Sequence, residues 1–327
     1  RWPGVGKWCV KIAPSGEQFS IADGPHRATV VEVGGGVREY THRGRHVLDG
    51  YAEDEMCSGG RGTPLMPWPN RLADGAYTFG GAGYQVPLSE PGRHNAIHGL
   101  LRWRNWTRRA GDEASVVLGT VLHAQPGYPF PLDVEIEYSL LDADSAAGSD
   151  AAGSGRRPGL TVTTTATNLG DRPCPFASGQ HPYLAPGVPT VDGATLHLVA
   201  ERWVPTDERG LPAGVEPVAG SALDFSTPRP IGDTAIDHAF TGLARDADGL
   251  AWVELSSADG WRTRLWADRH YPYIQLFTGD TLGPDRRRRG LAVEPMTGAP
   301  NTFRSGDGLV VLGPGESLRT AWGIQPG

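Results

Sequence analysis

Residues 133–140 read Asp-Val-Glu-Ile-Glu-Tyr-Ser-Leu, and residues 160–167 read Leu-Thr-Val-Thr-Thr-Thr-Ala-Thr. In the first stretch Val134, Ile136, Tyr138 and Leu140 alternate with Asp133, Glu135, Glu137 and Ser139. In the second, Leu160, Val162, Thr164 and Ala166 alternate with threonines. A period of two gives each set its own face, so both stretches are strands with one wet side. The residues between them, 143–159, are rich in Ala, Gly, Ser and Asp. A domain linker would have that composition. The flanks are of the same half-buried kind, however, so a long flexible hairpin tip is the better reading.

Working outward, short apolar or alternating runs mark further strands at residues 28–33, 195–203, 251–256, 261–267, 273–278, 309–312 and 318–324. Residues 77–79 and 84–88 flank a four-residue glycine-rich turn at 80–83 and read as a hairpin. No stretch longer than about ten residues holds a clean helical period, and no internal repeat is visible. The chain has 327 residues, with 46 glycines and 28 prolines, which opposes a mostly helical protein. The expected fold is all-β: one antiparallel sandwich forming a single domain over residues 1–327.

Composition excludes several functions. Hydrophobic residues at 39% and charged residues at 20% suit a globular chain with a core. A net charge of −7 disfavours a non-specific nucleic-acid binder. Lys7 and Lys11 are the only lysines among 30 basic residues, which reads as a GC-rich coding genome. Cys9, Cys57 and Cys174 cannot all pair and form no Cys-x-x-Cys, so neither a disulfide framework nor a cysteine zinc site is expected. Residues 1–16 hold no signal-peptide core, and a start at Arg1 reads as processing or trimming. No apolar run approaches the roughly 18–20 residues of a membrane span. A cytoplasmic protein, monomer or homodimer, is expected.

Five segments concentrate polar, reactive side chains beside Pro and Gly. They are Pro67-Trp68-Pro69-Asn70-Arg71, His94-Asn95-Ala96-Ile97-His98-Gly99, Gly179-Gln180-His181-Pro182-Tyr183-Leu184, Ala235-Ile236-Asp237-His238-Ala239-Phe240 and Ala292-Val293-Glu294-Pro295-Met296-Thr297. A sandwich can gather such distant segments on one concave face. His94 and His98 have the spacing of a helical metal pair, but on a strand they would lie roughly 13 Å apart. Pro91, Gly92 and Gly99 oppose a helix, so no metal site is expected. Arg286, Arg287, Arg288 and Arg289 could form a phosphate patch, although the preceding Gly283-Pro284-Asp285 favours a solvated loop.

These segments, in this order, resemble the aldose 1-epimerase (galactose mutarotase) family. The similarity is greatest to a bacterial Pro-Trp-Pro-Asn-Arg branch that includes enzymes proposed for sulfoquinovose-like sugars. The likeness runs from about Ser20 to Gly323 and includes Gly279-Asp280-Thr281-Leu282 and Leu312-Gly313-Pro314-Gly315-Glu316. It implies a β-supersandwich and a cofactor-free isomerase that interconverts the α and β anomers of a free monosaccharide. Pyranose opening needs a proton taken from the C1 hydroxyl and one given to the ring oxygen, so one base and one acid suffice. By resemblance Glu294 is the general base and His181 the general acid. Asn70, Arg71 and His98 would hold sugar oxygens and developing charge. Asp237 would accept ring hydroxyls, Gln275 would add a polar contact and Tyr183 would line the site. Trp68 is the candidate for stacking on the sugar, and His238 is read as structural.

Three other functions compete. A hexose-6-phosphate 1-epimerase would need an added cationic pocket, with Arg102, Arg104 and the Arg286 run as candidates. A non-catalytic sugar-binding or sensor protein would not need both acid and base. A glycosidase would need two carboxylates about 5–9 Å apart; Glu294 and Asp237 could supply them, but the resemblance gives the acid role to His181.

Overall fold

The computed structural model describes residues 12–143 and 157–327. The two alternating stretches are neighbouring antiparallel strands, Leu132–Leu141 and Gly159–Asn168, in continuous register from Leu132 opposite Asn168 to Leu141 opposite Gly159. Val134, Ile136, Tyr138 and Leu140 are buried, as the period of two requires. On the wet face Arg109 pairs with Asp133 and Glu135. The flexible tip predicted between the strands lies mostly outside the described residues.

This pair sits within a nine-stranded antiparallel sheet. Thr107–Gly111 and Ser115–Leu122 precede it, and Ser317–Pro326, Arg262–Ala267, Ala251–Ser256, Thr195–Leu198 and Phe225–Pro230 follow in spatial order. A second sheet of eight strands has Asp237–Leu243, Tyr273–Phe277 and Leu291–Met296 side by side at its middle. Residues from both sheets share one continuous apolar core, including Ile136, Val162, Leu276 and Val293. Among the described residues no helix is long and apolar enough to cross a membrane.

Two details differ from expectation. Residues 195–203 form not one strand but two: Thr195–Leu198 in the first sheet and Ala200–Val204 in the second. The chain changes sheet at the exposed Val199, the kind of corner by which sandwich sheets share strands. The glycine-rich hairpin turns over two residues rather than four. Phe79 pairs with Ala82, and Gly80 and Gly81 carry φ of +57° and +80°, the backbone a tight two-residue turn demands.

Candidate active site

Strand parity builds the floor of the site. Asp237 lies opposite Phe277, Gln275 opposite Glu294, and Tyr183 opposite Ala292. Alternation therefore places Asp237, Gln275, Glu294 and Tyr183 on one face of the second sheet. His238, Leu276 and Val293 fall on the other. This separates Asp237 from its neighbour His238. Asp237 accepts a hydrogen bond from Gln275 Nε2 at 2.7 Å, while His238 packs edge-on against Trp203. His181 follows the short strand Gly179–Gln180 and precedes Tyr183 by two residues, so it joins the same face.

The wall comes from the paired strands Arg71–Ala73 and Asn95–Ile97. The Asn70 N–H donates to His98 Nδ1 at 3.2 Å, and the His98 N–H donates to the Asn70 carbonyl at 2.9 Å. Both residues adopt left-handed backbone, with φ of +53° and +63°. Gly99 follows at φ +69°, where a Cβ would strike the Met66 carbonyl oxygen, so the position requires glycine. Because His98 Nδ1 accepts, its proton sits on Nε2, facing the cavity.

The structure brings Asn70, Arg71, His98, His181, Tyr183, Asp237, Gln275 and Glu294 together around one cavity of about 310 Å³. That is at the small end for ligand sites. His181 Nε2 lies 3.3 Å from Glu294 Oε1, and both side chains are almost fully buried. Burial, aided by the Arg102 charge, pushes His181 down to about 3. Burial, aided by Asp237 and opposed by Arg71, pushes Glu294 well above the usual carboxylate range. Burial also holds His98 well below the ordinary histidine value, with Arg102 adding to the effect. Neutral forms of His181, His98 and Glu294 are thus favoured. His181 Nδ1 and Glu294 Oε2 are buried with no hydrogen-bond partner in the protein. Such atoms are uncommon in folded chains and suit a polar ligand.

Arg71 lines the cavity with part of its guanidinium already engaged. Its Nε and Nη2 donate to the two Glu90 oxygens at 2.8 and 3.1 Å. Tyr183 acts as a support: its ring stacks on His181 with centroids 5.0 Å apart, and its hydroxyl donates to the Gly59 carbonyl. Behind it, Arg61 lies over the Tyr183 ring and is itself paired with Asp49 at 3.1 Å. Gly60 abuts His181 at φ +70°, where a Cβ would come within 2.9 Å of the imidazole.

Trp68 does not line this cavity. It is 1% exposed and packs against Phe303 in the core. The arginine run lies, as expected, in a loop of turns with Arg287 and Arg289 exposed, and it is not part of this cavity. Arg286 pairs with Glu55, while the buried Arg288 is fastened to Asp192 and Asp280. Arg104 donates to Gln125, also away from the cavity. His94 pairs with Asp74 at the surface. Among the described residues one trio, His98, His181 and Glu294, has donor atoms close enough to share a metal ion. Glu90, Arg61 and Gly60 escaped the sequence reading. Only Gly60, within Gly59-Gly60, carried even a generic signal of tight backbone.

The aldose 1-epimerase family model matches residues 17–325. The uncharacterized Escherichia coli (strain K12) protein YihR is 34% identical over 310 residues, covering 95% of this chain and 93% of its own. Mouse galactose mutarotase is 28% identical over 239 residues, covering 69% of this chain and 64% of its own. Among solved structures, an aldose epimerase homologue from C. elegans superposes with a TM-score of 0.79 at 19% identity, over 94% of this chain and 98% of that one. Galactose 1-epimerase from Lactobacillus acidophilus NCFM gives 0.73 at 19% identity, over 95% and 94%. The fold is thus the galactose mutarotase-like sandwich. With the match running nearly end to end, and with the motif residues converging on one cavity, the chain belongs to the aldose 1-epimerase family.

Proposed function

We propose that this protein is a mutarotase, opening and closing the ring of an aldose with Glu294 as base and His181 as acid. One observation carries the reading: His181 Nε2 and Glu294 Oε1 stand 3.3 Å apart in a buried cavity. The C1 hydroxyl and the ring oxygen hang from the same carbon, so an acid and a base serving them must sit side by side.

The pair holds one proton throughout. For ring opening the proton is on His181 and Glu294 is ionised. Glu294 takes the C1 hydroxyl proton, the C1–O5 bond breaks, and His181 delivers its proton to O5. The aldehyde rotates about C1–C2, and closure reverses both transfers. The neutral form that burial favours, with the proton on Glu294, is the form that closes the ring. His98 Nε2–H donates to substrate oxygen, and Asp237, held by Gln275, accepts from ring hydroxyls.

Anomeric exchange measured by NMR on glucose, galactose and a wider sugar panel tests this. Acceleration over buffer is expected, with Glu294→Gln slowing it by at least about a hundredfold. A chelator should leave the rate unchanged, which separates proton transfer from a metal held by the same trio. Absence of exchange on every sugar, with retained sugar binding, would point to a sensor.

A further inference from the structure

His181 lacks the usual device for aiming a working imidazole. Such a ring is commonly held by a hydrogen bond from its second nitrogen to a carboxylate or carbonyl. Here Nε2 faces Glu294 at 3.3 Å, while Nδ1 is buried with no partner in the protein. Packing is left to stop the ring from turning.

That packing runs outward in a defined order. Tyr183 stacks on the imidazole, with centroids 5.0 Å and planes 11° apart. His98 meets the same ring edge-on at 5.2 Å, and Gly60 abuts it. Tyr183 is fixed in turn. Its hydroxyl donates to the Gly59 carbonyl at 2.9 Å, and the Arg61 guanidinium lies 4.3 Å from its ring centroid. Arg61 donates from Nε and Nη2 to Asp49 Oδ2 at 3.2 and 3.1 Å, and from Nη1 to the Ser58 carbonyl at 3.1 Å. The other Asp49 oxygen faces Arg289 at 3.6 Å and Arg286 at 3.8 Å. Backbone bonds tie the same segments together. The Gly62 N–H donates to the His181 carbonyl, the His181 N–H to the Thr63 carbonyl, and the Asp49 N–H to the Tyr183 carbonyl.

Asp49 and Arg61 do not line the cavity, so neither is placed to touch the sugar. Both side chains are almost fully buried. A buried ion pair is weak evidence of stabilisation, because desolvation rivals the attraction. A flat cation over an aromatic face instead fixes the plane of that ring. Through Tyr183 that plane becomes the plane of His181.

We propose that Asp49 and Arg61 are positioning residues for the acid: the carboxylate fixes the guanidinium, the guanidinium fixes Tyr183, and Tyr183 aims His181 at the ring oxygen. This rests on the mutarotase reading for the role of His181.

The test measures kcat and KM of anomeric exchange for the wild type, Arg61→Met, Arg61→Lys and the Asp49→Asn/Arg61→Met double variant. The substrate is the panel sugar that the wild type turns over fastest, and melting curves set a temperature at which each variant is folded. Arg61→Met leaves Asp49 with Arg286 and Arg289, and the double variant removes both charges of the buried pair, so both should fold. In both, kcat should fall about tenfold or more with KM within about threefold, because His98, Asp237 and Gln275 still hold the sugar. Arg61→Lys keeps a cation over the ring and should recover part of the loss. In a His181→Gln background the same changes should leave kcat unmoved, because the residue they act through is gone. An unchanged kcat, a loss confined to KM, or an equal fall in the His181→Gln background would each overturn the positioning. A crystal structure of Arg61→Met, or of the double variant, decides apart from turnover. An imidazole turned from Glu294 or spread over two rotamers supports the proposal; an unmoved one refutes it. If no sugar exchanges at all, the mutarotase reading fails, and that structure alone decides.

Discussion

His181 and Glu294 illustrate how a single contact sets the working range of the site. A free imidazole would titrate near 6.5, yet burial pushes His181 down to about 3 and Glu294 well up. The proposed reaction needs one proton on the pair. A second arrives only as pH falls toward the lowered His181 value, and the sole proton leaves only as pH rises past the raised Glu294 value. The kcat/KM profile should therefore run flat through pH 6.5, with the acid limb set by the lowered His181 value and the alkaline limb by the raised Glu294 value. NMR exchange rates extrapolated to zero buffer check this, and an inflection near 6.5 would show a histidine titrating freely. At this scale the sequence was partly legible. Glu294 and His181 stood out because they sit in motifs that occur, with three others, in the order of the family they resemble. Glu90 did not, because its bond to Arg71 spans 19 residues of turn and short strand with no periodicity to read. Trp68 misled because a tryptophan between prolines looks the same whether it faces ligand or core.

Between residue and molecule, the decisive element is the left-handed turn that holds His98. Asn70, His98 and Gly99 all carry positive φ, and the exchange of bonds between Asn70 and His98 locks the imidazole. Gly99→Ala would force a methyl onto the Met66 carbonyl in a backbone region that alanine avoids. Expected are a loss of at least about 1 kcal/mol of stability in urea titration and a fall in kcat/KM at a temperature where the variant is still folded. Unchanged values in both would show that the turn is adaptable. Strands were legible here because alternation shows directly in the residues, as in residues 133–140. Register was not: nothing local announces that Gln275 lies opposite Glu294. The break at Val199 was also hidden, since a strand that changes sheets keeps its alternation on both sides.

For the whole molecule, buried neutral histidines tie stability to acidity. Burial pushes His26 down to about 4 and also lowers His42, His98, His181 and His238. In the unfolded chain these groups take up protons near 6.5. Between that value and the lowered one the unfolded state binds more protons, so stability falls as pH falls. His26 alone contributes up to about 3 kcal/mol to this slope. Denaturation midpoints should drop on going from about pH 7 to 5, and less steeply in His26→Gln; parallel slopes would assign the effect elsewhere.

The proton shared by His181 and Glu294 has one more consequence. In the proposed reaction each turnover passes it through the sugar and back, so the cavity exports nothing to solvent and draws nothing in. Such a site has no direction. It speeds α to β and β to α by the same factor and leaves their ratio to the sugar itself. It can complete a cycle sealed, without a water channel or a second substrate to admit.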